Sequence, residues 1–394
     1  MIASKTLQLI LYLAMSSDIQ YKFLRYSPRN GLGKSNKMSF FQRLHLDPWL
    51  CLYISLTALL GFVTLYSASG ENVLMLSKQI MSFGIGFIVM FMLAQIQPKI
   101  YESFTTFFYG FGLLALAAVF VIGEVRMGAQ RWIDIPGFGS VQPSEFMKIA
   151  MPMMAAWHLS RRSLPPSFFR IIITLALTAL PFLMIAKQPD LGTSALVLAS
   201  GIFVLFLAGL SWRLITVAST AVAIVVPFLW EFLLHDYQKK RVMTLFNPEA
   251  DALGSGWNII QSKIAIGSGS ISGKGFLSGT QSHLHYLPEG HTDFIIAAFS
   301  EEFGFIGILI LMLLYFAIIM RTMQISMCSP DNYGKLLSGG LGLAFFVYVF
   351  VNAGMVSGIL PVTGIPLPFM SYGGTAIITL MASFGIVMSI HTHR

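Results

Sequence analysis

The stretch FIIAAFSEEFGFIGILILMLLYFAIIM, residues 294–320, is apolar almost throughout and exceeds the roughly 20 residues that cross a bilayer as a helix. Runs of similar character recur along the chain, too long and too numerous for the core helices of a water-soluble domain. The sequence therefore predicts an all-α polytopic membrane protein with about ten transmembrane helices. The predicted ranges are 48–68, 76–96, 103–123, 143–160, 168–187, 191–210, 212–234, 294–321, 334–359 and 367–390.

Composition supports this class, because 55% of the 394 residues are hydrophobic and only 11% are charged. A soluble globular domain carries about 25% charged residues, so that class is excluded. The net charge of +8 does not indicate nucleic acid, since the basic residues lie between the apolar runs and form no stripe. Their distribution over the short loops predicts that both termini are cytoplasmic. Cys51 and Cys328 provide no disulfide framework.

Two segments fall outside this pattern. Residues 1–45 contain a short apolar stretch and the basic run YKFLRYSPRNGLGKSNK, and we expect a disordered cytoplasmic extension there, with a targeting segment as the alternative. Residues 235–293 are far longer than an ordinary connection and include Trp257, Tyr286 and the apolar stretch NIIQSKIAIG. They predict an ordered extracytoplasmic loop between the seventh and eighth helices, within one membrane domain at 46–394.

The stretch GILPVTGIPLPFMSYGG, residues 358–374, joins the last two predicted helices. Its prolines remove backbone donors and its glycines loosen the chain, so we expect broken backbone that lines a cavity or is buried in protein. The sequence contains no internal repeat of the kind that transporters often show.

Charged residues inside apolar runs are candidates for function, because each is costly in a bilayer unless it is paired or hydrated. Glu145 and Lys148 are spaced i, i+3 and share one helix face, either as a self-neutralising pair or as part of a substrate site. Glu301 and Glu302 are adjacent and cannot share a face, so at least one needs a partner from elsewhere, such as Asn352 or a lysine. They are either structural acids or functional ones.

Asp293 stands directly before the apolar run, in the stretch HTDF. An aspartate there is a good N-cap for the following helix, which is the simpler interpretation. The functional interpretation makes it a general base at the mouth of a cavity. Asp190 in QPDLGTS similarly predicts a cap for the sixth helix. A metal site at Asp293 is a weaker alternative, because the nearby histidines and acids, His283, His285, Glu289 and His291, match no established zinc spacing.

Basic residues predicted on the same side of the membrane as Asp293 form a pool that could hold a pyrophosphate, although each could equally be a solvated surface residue. The pool consists of Arg131, Lys239, Lys240, Arg241, Lys263 and Lys274.

Several ordered motifs from about Leu46 onward resemble the SEDS family (shape, elongation, division and sporulation), and HLDPWL with the closing VMSIHTHR is more similar to its elongation branch than to its division branch. The motifs are SASG at 67–70, GAQRWI at 128–133, QPSE at 142–145, QPDLGTS at 188–194, QSKIAIGSG at 261–269, LPEGHTDFI at 287–295, EEFGFIG at 301–307 and PLPFMSYGG at 366–374.

The resemblance implies a ten-span peptidoglycan glycosyltransferase of the bacterial cytoplasmic membrane that polymerises lipid II on the outer face, with a class B penicillin-binding protein as transpeptidase partner. The family's essential acid falls on Asp293, and its sensitive cavity residues fall on Trp132, Glu145, Lys148 and Lys263. Gly290 departs from the bulkier residue often found there. No resident cofactor is expected, although a divalent cation is compatible with the pattern.

Together these observations predict that Asp293 deprotonates the acceptor sugar hydroxyl in an inverting transfer, while Arg131, Lys148 and Lys263 stabilise the departing undecaprenyl pyrophosphate. One base suffices, because a single in-line displacement needs no protein nucleophile. Two alternatives remain open. A lipid II flippase would also use intramembrane charges and broken helices, and a non-catalytic cell-wall scaffold would not need Asp293.

Overall fold

A computed structural model describes residues 43–126, 129–135, 139–232, 236–251, 255–284, 286–287 and 289–393. Nearly all of the extension predicted at 1–45 lies outside these residues. The helices are α1 (Pro48–Ala68), α2 (Val73–Ala94), α3 (Pro98–Ile122), α4 (Pro143–Ser160), α5 (Phe168–Lys187), α6 (Leu191–Leu207), α7 (Trp212–Phe232), α8 (Asp236–Phe246), α9 (Ser255–Ser268), α10 (Thr280–His283), α11 (Ile295–Cys328), α12 (Asn332–Val356) and α13 (Gly374–Thr392).

Each of the ten predicted ranges overlaps one of these helices, and the polytopic all-α class is confirmed. Seven helices, α1, α2, α3, α5, α11, α12 and α13, are long and apolar enough to cross a membrane. The shorter α6 is also apolar. Ten crossings remain a prediction, as does the side of the membrane on which each loop lies.

The chain between α3 and α4 forms a small antiparallel sheet that the sequence analysis missed. Its strands are β1 (Glu124–Arg126), β2 (Ala129–Ile135) and β3 (Gly139–Val141), in the order β1-β2-β3. Trp132 pairs with Glu124, and Ile133 pairs with Val141. The strand-favouring residues Trp132, Ile133 and Ile135, followed by Pro136 and Gly137, were the available signal.

Residues 235–293, predicted to be ordered, contain α8, α9, α10 and a 3-10 turn at Pro248–Asp251. The segment joins α11 by exchanging backbone hydrogen bonds where that helix is broken at Gly304 (φ 64, ψ −162). Phe305 N and Ile306 N donate to the carbonyls of residues 270 and 271, at 3.0 and 3.1 Å. In return, the amides of residues 274 and 275 donate to the carbonyls of Glu301 and Glu302, each at 3.0 Å. The long loop therefore satisfies backbone groups that the broken helix frees.

Gly304→Ala should prevent this exchange, because the backbone angles at Gly304 are almost exclusive to glycine and cost about 1–3 kcal/mol for other residues. A Cβ there would also lie 2.3 Å from Gly273 N and 2.7 Å from Ile271 O. We expect a lower melting temperature and faster amide exchange across 269–275. Gly84→Ala is the control, since a Cβ on Gly84 meets no atom within 4 Å. Equal melting temperatures for the two variants would contradict the prediction.

The last helix begins at Gly374, seven residues later than the predicted range, because prolines at 366 and 368 break the preceding segment. The broken backbone predicted there is confirmed. Leu367, Phe369 and Met370 are buried. These residues pack in the bundle core against α1 at Gly61. A Cβ on that glycine would lie only 2.7 Å from the carbonyl oxygen of Phe369.

At the opposite end of the bundle, Asp47 joins three helices. Its carboxylate is fully buried, caps α1 by accepting from Leu50 N at 2.9 Å, and pairs with Arg321 of α11 at 2.6 Å and His391 of α13 at 3.2 Å. The ring of His45 stacks on that of His393 with centroids 4.0 Å apart. Burial, with a smaller effect from His393, lowers the pKa of His45.

Candidate functional site

Asp293 is half-buried and lies at the junction of the 235–293 loop with α11. The helix begins at Ile295 with Phe294 as its N-cap residue. Asp293 lies one position earlier, so it is not the N-cap that the simpler interpretation predicted. Its side chain faces Gly364, where a Cβ would lie 3.5 Å from Oδ2. The carboxylate therefore borders the broken segment 357–373 between α12 and α13.

The backbone that carries Asp293 is held by a turn and by tertiary contacts. Phe294 N donates to Glu289 O at 3.0 Å, and the Thr292 hydroxyl donates to the Glu289 carboxylate. Tyr372 N donates to His291 O at 3.0 Å, which fixes the turn to the broken segment. The geometry presents a carboxylate on a fixed backbone beside an irregular segment, an arrangement suited to proton transfer to or from a bound group.

Lys263 approaches the same broken segment from α9. A Cβ on Gly358 would lie 2.4 Å from its Cε and 2.7 Å from Nζ, so the ammonium rests beside the end of α12. Ser262 fixes this part of α9, because its hydroxyl donates to Val356 O at 2.9 Å. The structure thus brings Lys263 and Asp293 to one segment, Lys263 at Gly358 and Asp293 at Gly364.

Glu145 and Lys148 form a buried ion pair on α4, with side chains 11% and 9% exposed. The Lys148 ammonium also lies 5.0 Å from the ring centroid of Tyr348 on α12, a residue that the sequence analysis missed. A cavity of about 30 Å³ adjoins this pair, lined on its polar side by Lys148, Tyr348, Ser200, Thr322, Thr379 and Ser383. That volume is enough for an ordered water.

Arg131 on β2 anchors the small sheet to the turn between α5 and α6. Its guanidinium donates to Gln188 O at 3.3 Å and Pro189 O at 2.5 Å, and lies 3.8 Å from the Asp190 carboxylate. Asp190 caps α6 as predicted, accepting from Thr193 N at 3.1 Å. Trp132, the next residue on β2, is half-buried. These contacts give Arg131 a structural role.

The adjacent carboxylates Glu301 and Glu302 have separate partners. Glu301 is fully buried, pairs with Lys274 at 2.6 Å, and accepts from Thr280 N at 2.9 Å and Gln281 N at 3.1 Å. The hydroxyl of Ser67 on α1 donates to Glu302. The partner of Glu301 is thus a loop lysine, and Asn352 instead donates to Asp293 O and Ile365 O. Both acids hold the fold together, and Lys274 of the basic pool is engaged in an ion pair.

Few contacts are described for the remaining predicted residues. Lys239 donates to Glu231 O at 3.4 Å. The side chains of Lys240, Arg241 and His283 and all of His285 lie outside the described residues, so the metal alternative and part of the cation pool remain untested. Within the described part of the chain, no cluster of three or more His, Cys, Asp or Glu side chains is placed to hold a metal ion.

Comparison with known proteins identifies the family. The profile of the family named for FtsW, RodA and SpoVE, described as a cell cycle protein, matches residues 48–394. The chain belongs to this family, the SEDS family, and solved structures of RodA are among those it matches.

Among its relatives, peptidoglycan glycosyltransferase MrdB of Escherichia coli K12 is 52% identical over 359 residues, covering 91% of this chain and 97% of that protein. Peptidoglycan glycosyltransferase RodA of Treponema pallidum is 32% identical, covering 80% and 89%. A solved structure titled as a peptidoglycan synthase complex that coordinates polymerization and crosslinking matches with TM-score 0.77 at 30% identity, covering 88% and 97%. The crystal structure of Thermus thermophilus RodA matches with TM-score 0.67 at 27% identity, covering 88% and 96%.

Proposed function

We propose that this chain is a peptidoglycan glycosyltransferase that polymerises lipid II into glycan strands during cell elongation. The observation that carries the proposal is a half-buried carboxylate, Asp293, whose backbone is fixed at the edge of an irregular segment in a bundle of membrane-spanning helices. The names of relatives that align over most of this chain support the reaction class.

In the proposed reaction, Asp293 takes the proton of the 4-hydroxyl of the acceptor GlcNAc as that oxygen attacks the anomeric carbon of the donor MurNAc. The new carbon–oxygen bond forms as the bond to the pyrophosphate breaks, and undecaprenyl pyrophosphate leaves with the electron pair. The α-linked donor becomes a β-1,4 linkage by inversion, which requires a base and leaving-group stabilisation.

Among the predicted cations whose side chains the structure describes, Lys263 is the best placed to stabilise the pyrophosphate, because it is exposed and borders the same segment as Asp293. Arg131 and Trp132 shape the neighbouring sheet. Glu145 and Lys148 are proposed to support substrate binding from within the bundle. A divalent cation that accompanies the pyrophosphate is compatible with this reaction, and a loss of polymerisation on addition of a chelator would reveal it.

The proposal includes an outer-face site on the bacterial cytoplasmic membrane, cytoplasmic termini and a class B penicillin-binding protein as partner. The solved complex that couples polymerization with crosslinking supports such a partner. In this proposal, crosslinking is the reaction of the partner protein.

The test is reconstitution of the purified chain and its transpeptidase partner, with the transpeptidase blocked, in liposomes that contain labelled lipid II. Glycan polymer that depends on this chain supports the proposal. Movement of lipid II between leaflets without polymer would favour a flippase. Polymer formed by the partner alone would favour a scaffold and overturn the proposal.

A further inference from the structure

Three consecutive carbonyl groups at the proposed base are each held by a donor from another part of the chain. His291 O accepts from Tyr372 N at 3.0 Å, and Thr292 O accepts from the Ser371 hydroxyl at 2.6 Å. Asp293 O accepts from Nδ2 of Asn352 at 2.9 Å. Asn352 lies on α12, so the backbone of Asp293 itself is held by a helix other than the α11 that follows it.

Asn352 also binds the other wall of the site. Its Nδ2 donates to Ile365 O at 2.7 Å, so both amide hydrogens are used and both acceptors are carbonyl groups. This pattern fixes the orientation of the amide, because the amide oxygen could not replace the nitrogen in either contact. Ile365 follows Gly364 (φ 71), the residue that faces the Asp293 carboxylate. One side chain therefore joins the two backbones that flank this carboxylate.

In the buried side chain of Asn352, the amide nitrogen makes the hydrogen bonds and the amide oxygen does not. The residue is fully buried, and its Oδ1 has no hydrogen-bond partner within the described part of the chain. An unpartnered buried oxygen is unfavourable for stability. The amide is therefore suited to this position by its two N–H donors, which reach backbone groups on both sides of Asp293.

We propose that Asn352 is a positioning residue for the glycosyl transfer, which holds Asp293 at the edge of the 357–373 segment without touching the substrate. The inference rests on the proposed role of Asp293 as base. A misplacement of about 1 Å in a reacting group can cost roughly 100-fold in rate. Asn352→Ala should therefore lower kcat by about 10- to 100-fold and change KM much less.

The deciding experiment is a double-mutant cycle on the reconstituted complex, with Asn352→Ala, Asp293→Asn and the double variant. If Asn352 acts through Asp293, removing it from the Asp293→Asn background should leave the residual polymerisation rate unchanged. A merely structural role predicts the same fold loss in both backgrounds. Gln95→Ala is the matched control, because the Gln95 amide also donates to two carbonyls, Leu44 O and Phe91 O, far along the chain from Asp293.

The outcomes separate the two proposals. If Asp293→Asn polymerises like the wild type, the proposed function of Asp293 fails. If Asp293→Asn is impaired but Asn352→Ala is fully active, or lowers both backgrounds equally, only the positioning role is overturned. Should Asn352→Ala give too little folded protein, Asn352→Ser, which keeps one hydroxyl donor, enters the same cycle. An additive loss for that variant also overturns the positioning role.

Discussion

Asp293→Asn is expected to lower the rate of glycan polymerisation by about 100- to 10,000-fold, the contribution of a positioned general base. The amide has nearly the same shape as the carboxylate but cannot accept the proton of the sugar hydroxyl. The substitution should leave the backbone intact, because the contacts to His291 O, Thr292 O and Asp293 O do not involve this side chain. The melting temperature and partner binding should therefore match the wild type.

The measurement is glycan chain formation from labelled lipid II by the purified complex, with the transpeptidase blocked. Asp331→Asn provides the control, since Asp331 caps α12 by accepting from Gly334 N at 2.8 Å and asparagine caps helices equally well. Control and wild type should polymerise alike. Undiminished polymer from a folded Asp293→Asn variant would remove the proposed mechanism.

Lys148→Met should destabilise the protein by about 3–5 kcal/mol, because it leaves the Glu145 carboxylate buried without its cation. The double variant Glu145→Gln/Lys148→Met removes both charges and should recover most of the lost stability. Melting temperatures in detergent give the comparison. Lys99→Met, at an exposed lysine, should change stability by no more than about 0.5 kcal/mol.

Polymerisation by the recovered double variant distinguishes the two interpretations of the pair. We expect it to stay well below the wild type, because the proposed function gives Glu145 and Lys148 a part in substrate binding. Activity equal to the wild type in a stable double variant would show that the pair is structural only.

The helices were largely predictable from the sequence, because hydrophobic length is a local property. Each of the ten predicted ranges overlaps a helix. The start of α13 was not, since apolar residues 367–370 lie in broken backbone and are buried there by contact with α1. The sheet was missed because its strands are short and lie between two long apolar runs, which have the stronger sequence pattern.

The candidate site was likewise only partly predictable from the sequence. Asp293 and the Glu145–Lys148 pair stand out as charges at the edges of or within apolar runs. The ion pair of Arg131 with Asp190 and the hydrogen bond of Asn352 to Asp293 could not be predicted, because each joins residues 59 positions apart. Lys274 was placed in the pool that could hold a pyrophosphate, and it pairs with Glu301 where the loop exchanges hydrogen bonds with α11.

The buried carboxylate of Asp47 has a consequence for biogenesis. Arg321 follows it by 274 residues. At roughly 5–20 residues per second, the ribosome reaches that arginine about 14–55 s after making Asp47. His391 emerges later still. The first helix therefore forms beside an acid whose ion-pair partners are not yet synthesised, and the bundle can close around it only after α13 has been made. A chain that stops before α13 should leave α1 without part of its anchorage and become a target for membrane quality control.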